Sequence, residues 1–361
     1  MEEHLLSLGL RLVKKLSIRK YHRDHKVQAL KILKVIESRR GTTDPKLLAT
    51  CDDYAGDILG WRGYAPWLYV YTAESGCFKP GWIPDDYYGR VVIPVLKGDY
   101  GKISSLKILV HRLFDGHNSL SLPNTPFPDL AYRANRLFLS STYEVINQER
   151  IRDFLFSQRE TVVFKLDNSG QGRDIFLLKE DSFNLDQVSR LGNGVFQEFI
   201  RQHPLFDRLM PDSTATVRVT TVAESTGTIS ARACFLRLGR TGDTHVKSVS
   251  TIKVAVNVTT GELDGQGYLP DWTTVPDHPD TKVRFAGLTI PSFKECIATA
   301  KALHQQVPFT RTVGWDLIVD DHNQIKVMEW NGTHNDIKFT EATQGPCFAD
   351  IGWESFWKRS T

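Results

Sequence analysis

The chain has 361 residues, 41% hydrophobic and 24% charged, with a formal net charge of +3, which fits an ordinary soluble protein of two or three parts. No run approaches the roughly 18 apolar residues of a membrane-spanning helix, and the N-terminus meets its basic residues only after its apolar part, the reverse of a secretory signal. Five scattered cysteines without CxxC spacing argue against a disulfide frame or zinc site and predict a cytoplasmic protein with reduced thiols.

The charge is uneven. Residues 1–40 hold six Lys and five Arg against three Glu and one Asp, a local +7 that leaves the remainder near −4. The body is therefore not a basic nucleic-acid binder. In the first segment Leu5, Leu8, Leu12 and then Val27, Leu30 and Leu33 recur at helical spacing, interrupted over Lys14–His25. This predicts a basic amphipathic arm over 1–45, either packed on the body or meeting a partner: a second subunit in a homodimer, or an anionic surface. Residues 46–130 form an aromatic-rich region. Within it Trp61, Tyr64, Trp67, Tyr69, Tyr71, Trp82, Tyr87 and Tyr88 predict a packed irregular segment, and Ser119–Pro128, with three prolines, reads as an exposed loop.

Residues 131–355 form the main body, and from residue 160 its pattern turns to strands. Thr161–Lys165, Ile175–Lys179, Val195–Ile200, Thr216–Val222, Ser230–Leu236 and Ile252–Val258 are short β-branched or alternating runs. A helix follows over Pro291–Val307, its stripe formed by Phe293, Ile297, Ala300, Leu303 and Val307. Val313–Val319 and Gln324–Trp330 then make a hairpin. Antiparallel strands with few helices predict an α+β body.

The hairpin allows a geometric argument. A loop centred between His322 and Asn323 places Asp316 opposite Glu329, and Asn331 then points to the same face. Two carboxylates and an amide oxygen suit Mg²⁺; the competing expectation is that a Lys or Arg neutralises one of the acids on a solvated face. Upstream, Lys165 ends an apolar strand before Asp167-Asn168-Ser169-Gly170-Gln171-Gly172. Ser169, Gly170 and Gly172 suit a loop whose amides approach phosphate, with Lys165 as a point charge, although a plain hairpin loop has the same pattern. Gln197 and Glu198 interrupt the apolar strand that ends at Ile200. Arg218 lies inside an alternating strand, where it needs an anionic partner, structural or ligand.

Taken in order, Lys165 with its small-residue loop, the Gln197-Glu198 strand, Arg218 and the closing Gly314-Trp315-Asp316…Met328-Glu329-Trp330-Asn331 resemble an ATP-grasp domain of the sugar-transfer-associated branch encoded in surface-polysaccharide gene clusters. Lys79-Pro80-Gly81-Trp82-Ile83-Pro84-Asp85-Asp86-Tyr87-Tyr88 is similar to the segment preceding the nucleotide domain in that branch. The resemblance implies an ATP-grasp fold, two α+β subdomains with antiparallel sheets clasping ATP. It implies that Gln197–Ile200 hold adenine and ribose with Glu198 on the ribose, that Lys107, Lys165 and the glycine loop cover the phosphates, and that Asp316, Glu329 and Asn331 hold one or two Mg²⁺, with Mn²⁺ as a substitute. Arg218 would meet the transferred phosphoryl oxygens. The implied reaction is ATP-dependent ligation of a small carboxylate to an amine, on sugar-linked precursors or amino acids, through an acyl phosphate. The rivals are a phosphotransferase acting on a hydroxyl and a non-catalytic nucleotide-binding subunit of a polysaccharide assembly. The sequence departs from the branch at Leu106, Leu166, Gln171 and Ser250-Thr251.

Overall fold

A computed structural model describes residues 2–114, 130–167, 174–242 and 250–359. They fall into two compact units that cross the expected boundaries: one contains the chain up to Leu96, Asp271–Thr273 and the chain from Asp336, and the other contains Lys97–Pro270 and Thr274–Asn335. The Ser119–Pro128 loop lies outside the described residues.

The first unit is helical. Its opening helix, Glu2–Arg40, buries Ala29, Ile32, Leu33 and Ile36, a stripe at helical spacing. The stripe differs from the expected one, since Val27 is 64% exposed. Nor does the buried face break off before residue 26. His22 reaches Asp86 at 3.0 Å, and the His25 Nδ1 accepts from Trp67 Nε1 at 3.1 Å. The aromatic region is helical rather than irregular. Ala65–Ser75 is a helix that buries Trp67, Leu68, Val70, Tyr71, Thr72 and Glu74 on all sides, which erases the amphipathic signal by which a surface helix is recognised. It stops at Gly76, whose φ of 77° favours glycine.

Several carboxylates are buried here, each met by hydrogen bonds or cations. Glu74 takes Arg39 at 2.6 Å and Arg40 at 2.8 Å. Glu341 accepts the Ile83 amide at 2.8 Å and the Cys347 amide at 2.7 Å, tying the Trp82-Ile83 segment to the chain's last part. Burial outweighs those two bonds and pushes the Glu341 carboxyl up to about 7 from its ordinary 4.5. Its folded-state affinity for a proton thus exceeds that of the unfolded chain, so its contribution to stability falls as pH rises from about 4.5 through 7. In urea titrations at several pH values, Glu341→Gln should therefore gain on the unchanged chain across that window. A stability difference independent of pH would show that the charged form is fully accommodated.

The second unit is built on two antiparallel sheets. The smaller comprises β1 (Leu130–Arg133), β2 (Arg136–Leu139), β3 (Thr161–Leu166), β4 (Ile175–Lys179) and β5 (Gly194–Glu198), in the order β2-β1-β5-β3-β4. The larger comprises β6 (Thr216–Ala223), β7 (Ile229–Leu238), β8 (Ile252–Val256), β9 (Leu263–Tyr268), β10 (Thr274–Val275), β11 (Thr312–Val319) and β12 (Ile325–Asn331), in the order β10-β9-β8-β7-β6-β11-β12. Alternation sends Val217, Val219, Cys234, Leu236, Val254, Trp315, Leu317 and Val327 to one face of the large sheet. The helix Phe293–Gln305 packs there with Cys296, Ala300 and Leu303. Each large side chain buried this way contributes about 1.5–3 kcal/mol. The opposite face carries the charged residues. The expected α+β body of antiparallel sheets is the observed one.

Candidate active site on the polar sheet face

The site begins with the β11–β12 hairpin. Asp316 is paired with Glu329 and Gly314 with Asn331, but toward the turn Val319 pairs with Ile325. The loop is therefore centred on His322, not between His322 and Asn323. Asn323, at φ 61°, closes it, and the Asp320 carboxylate accepts the amides of His322 and Gln324 at 2.9 and 2.7 Å. Left uninterrupted, that register would set Asp316 opposite Met328. A bulge in β12, where the register shifts past Asp316, absorbs Met328 and brings Glu329 onto the Asp316 face. Beyond Asn331 the chain is held closely. Lys97 Nζ donates to Thr333 O at 2.9 Å, and a Cβ on Gly101 would lie 2.4 Å from Gly332 O, so two backbones meet where only glycine fits.

Asp316 also faces β6, where its register partner is Arg218. The guanidinium donates through Nε at 2.5 Å and Nη2 at 2.8 Å to the two carboxylate oxygens, a bidentate charge-assisted pair. Arg237 Nη1 lies 3.5 Å from the same carboxylate. Burial works to raise the Asp316 carboxyl, but Arg218 and Arg237 outweigh it and hold it below its ordinary value. One of the two expected acids is thus neutralised by arginine, and Arg218 spends its fork on Asp316. Asn331 turns its amide nitrogen toward Gly314 O at 3.3 Å and Asp316 Oδ2 at 3.4 Å.

Glu329 is exposed and acts electrostatically on Lys165 and Lys107. Burial pushes the Lys165 ammonium down to about 8, opposed first by Glu329, reinforced by Lys107 and opposed again by Asp316. Lys107 is lowered by burial against the pull of Glu329 and Asp167, and its Nζ donates to Asp167 O at 3.1 Å. Lys107, Lys165, Glu329, Asp316, Arg218 and Asn331, chosen from five separate stretches of sequence, therefore form one electrostatic cluster. Ser169, Gly170 and Gly172 lie outside the described residues.

The β5 residues divide. Gln197 pairs with Val163 and Glu198 with Val162, so Gln197 shares the sheet face of Lys165 while Glu198 faces the other way. Gln197 and Ile200 are buried, and Glu198 approaches Lys326 Nζ at 3.9 Å. Lys326 shares the polar face of β12 with Glu329. A cleft of about 740 Å³ opens where the end of β5 meets the β11–β12 turn, lined by Glu198, Phe199, Ile200, Arg201, Asp321 and Lys326 among others. Sequence reasoning passed over Lys326, Arg237 and Lys253, although the signal that singled out Arg218, a cation inside a strand, applies equally to them.

Among the described residues no group of three or more His, Cys, Asp or Glu is placed to hold a metal, and no helix is long and apolar enough to cross a membrane. The smaller sheet carries Lys165 and the larger one the Asp316–Glu329 pair. Residues 179–350 match the family described as sugar-transfer associated ATP-grasp, the branch that the sequence resembles. The Lys79–Tyr88 segment lies outside the match. No curated protein matches the sequence. Solved structures similar to the chain include N5-carboxyaminoimidazole ribonucleotide synthetase from Thermotoga maritima, at 13% identity and TM-score 0.41, covering 73% of this chain and 50% of that one. D-alanine-D-alanine ligase from Coxiella burnetii stands at 12% and 0.39, covering 72% and 60%, and biotin carboxylase from Campylobacter jejuni at 12% and 0.44, covering 91% and 67%. Likenesses this remote carry no argument about the reaction, and the chain spans half the length of the first of these relatives.

Proposed function

We propose that the polar face of the large sheet binds MgATP and that the protein is an ATP-dependent carboxylate–amine ligase. The supporting observation is the convergence of Lys107 and Lys165 with Glu329 and Asp316. Lysines held in partly buried positions beside carboxylates are poised to exchange those partners for phosphate oxygens. Gln197 and the backbone of Glu198–Ile200 would hold the adenine. Glu198, turned toward Lys326, is a poorer ribose partner than the sequence suggests.

The acidic set fits Mg²⁺ by donor chemistry, hard oxygens on adjacent strands, with Glu329 exposed on the polar face and Asp316 shared with Arg218. Glu329, Asp316 and the Asn331 amide would hold one or two ions, Mn²⁺ substituting; bound there, the metal would neutralise phosphate charge. The residues do the rest. Lys165 and Lys107 fix the phosphates, and the Arg218–Asp316 pair orients the surrounding groups, since phosphoryl transfer needs positioning and charge neutralisation more than covalent help. The terminal phosphoryl of ATP would pass to a carboxylate oxygen, releasing ADP. An amine nitrogen would then attack the acyl carbon, phosphate would leave, and the nitrogen would lose a proton to give the amide.

Titration of the full chain with MgATP by calorimetry tests this reading, with ADP release and product masses followed for amino-acid and uronic-acid acceptors. Glu329→Gln and Lys165→Ala should each weaken MgATP binding by about tenfold or more, the scale of a lost charged hydrogen bond. Because Glu329 supplies counter-charge to Lys165 and Lys107 and the carboxylate opposite it is already paired with Arg218, Glu329→Gln should unfold no later than the unchanged chain. Unaltered MgATP affinity in both variants would refute the site. Phosphate retained on a hydroxyl acceptor would make the protein a kinase.

A further inference from the structure

The first helix has a second face. Ala29, Ile32, Leu33 and Ile36 turn one side of it toward the core, and His22 and His25 extend that side toward the N-terminus through Asp86 and Trp67. On the opposite side Val13, Leu16, Lys20, Arg23, Val27 and Lys31 follow one another at steps of three and four residues, which stacks them in one row, and all are exposed. Lys34, also exposed, ends the row, which is roughly 30 Å long at the rise of an α-helix. Arg19 and Lys26 are exposed along its flank. The acid beside it, Asp24, stands 3.7 Å from Arg23, with both side chains more than half in solvent.

Two properties set this row apart from an ordinary solvated face. Val13 and Val27 are each 64% exposed, more than any other large apolar side chain among the described residues, and Leu16 lies in line with them. The cations between them belong to the +7 excess of the first forty residues. Apolar side chains spaced among Lys and Arg on a helix lying flat suit the boundary of a bilayer. There the apolar tips enter below the headgroups, and the long basic side chains reach the lipid phosphates. A second copy meeting this row would put Lys20, Arg23 and Lys34 into a seam that coiled coils fill with apolar residues. A nucleic-acid backbone would answer the charges and leave Val13, Leu16 and Val27 uncovered.

We propose that this outer row is a docking surface for the anionic phospholipid face of a membrane. No helix among the described residues is long and apolar enough to cross a bilayer, so the contact is peripheral: the inner face of the helix stays packed while the outer row lies on the headgroups. The attraction is electrostatic and decays within a Debye length, about 8 Å at physiological salt. The three apolar tips add shallow burial. None of the residues of the nucleotide cluster takes part.

Flotation of the full chain with vesicles tests this, comparing phosphatidylcholine alone with phosphatidylcholine mixed with phosphatidylglycerol. The proteins are the unchanged chain, the double variant Lys20→Gln, Lys31→Gln and the double variant Val13→Ser, Leu16→Ser. Circular dichroism melts on the same samples report folding, which changes at these exposed positions should leave intact. The unchanged chain should float with the anionic vesicles, be released as salt is raised and ignore the neutral ones. The lysine variant should bind anionic vesicles about thirtyfold more weakly, the scale of two basic residues lifted from such a surface. The serine variant should lose about fivefold. Equal recovery on neutral and anionic vesicles, including none on either, would overturn the surface, as would unchanged binding in either variant. Tighter binding to duplex DNA than to anionic vesicles would give the row to a nucleic acid instead. A dimer in analytical ultracentrifugation that the lysine variant strengthens would give it to a second copy, and either result would overturn the lipid assignment.

Discussion

Arg218→Ala should lower folding stability by about 3 kcal/mol at neutral pH, the scale of breaking a buried ion pair by removing one partner. Arg218 and Asp316 are both nearly inaccessible, and the fork satisfies both carboxylate oxygens. Alanine would leave Asp316 buried, with Arg237 at 3.5 Å as a remaining cation, which places the loss at the lower end of the usual range. The pH dependence has a definite sign. Arg218 helps hold the Asp316 carboxyl below its ordinary 3.8, so the pair stabilises fully above that pH and its contribution is lost as pH falls below it. In the variant, burial prevails and Asp316 takes up a proton more readily. The stability gap measured by urea unfolding should therefore be widest near pH 7 and close toward acid pH. Arg218→Met combined with Asp316→Leu should recover most of the loss, because two apolar side chains leave no buried charge. An Arg218→Ala protein as stable as the unchanged chain but lacking turnover would restore Arg218 to the transferred phosphoryl oxygens alone.

The strands were legible because alternation survives wherever one face meets a core, and β3, β4, β6 and β8 begin at the residues where their patterns begin. The Asp316–Glu329 pairing was legible for a less secure reason. The loop is centred one half-step from where its composition suggests, and the bulge at Met328 cancels that offset; neither feature has a mark in local sequence, since a bulge is chosen by the packing on both sides of the strand. Arg218 was identifiable as a strand cation in need of an anion. Its partner was not, because the choice between Asp316 and a ligand depends on which strand lies beside β6. The helix Ala65–Ser75 was hidden for the opposite reason to the strands: buried on all sides, it has no polar stripe from which to read a period. The resemblance puts Glu198 on the ribose, whereas strand alternation turns neighbours to opposite faces and leaves Gln197, not Glu198, on the face of Lys165.

The first helix provides the second large effect. Its charge suggests an arm that the body can lose, but its structure makes the second half core. Ile32, Leu33 and Ile36 are buried, worth about 5–9 kcal/mol together by area, a sum comparable to the whole stability of an ordinary domain. The same helix supplies Arg39 and Arg40 to buried Glu74 and His22 to Asp86, whose carboxyl burial pushes up to about 6 against the pull of His22. Removing residues 1–40 would expose the apolar surface and strand those carboxylates together. The first turns described in full are different: Val13 and Leu16 are 64% and 55% exposed, and residues 13–20 are almost all at the surface. Replacing Val13 and Leu16 by serine should thus leave a soluble chain melting within a few degrees of the unchanged one, as expected for changes at exposed positions. Deletion of residues 1–40 should yield aggregated protein, or a helical unit that gives no cooperative transition by circular dichroism. A soluble, cooperatively unfolding chain that begins at residue 41 would show the helix to be an arm after all, and its basic face would then have to be explained by a partner.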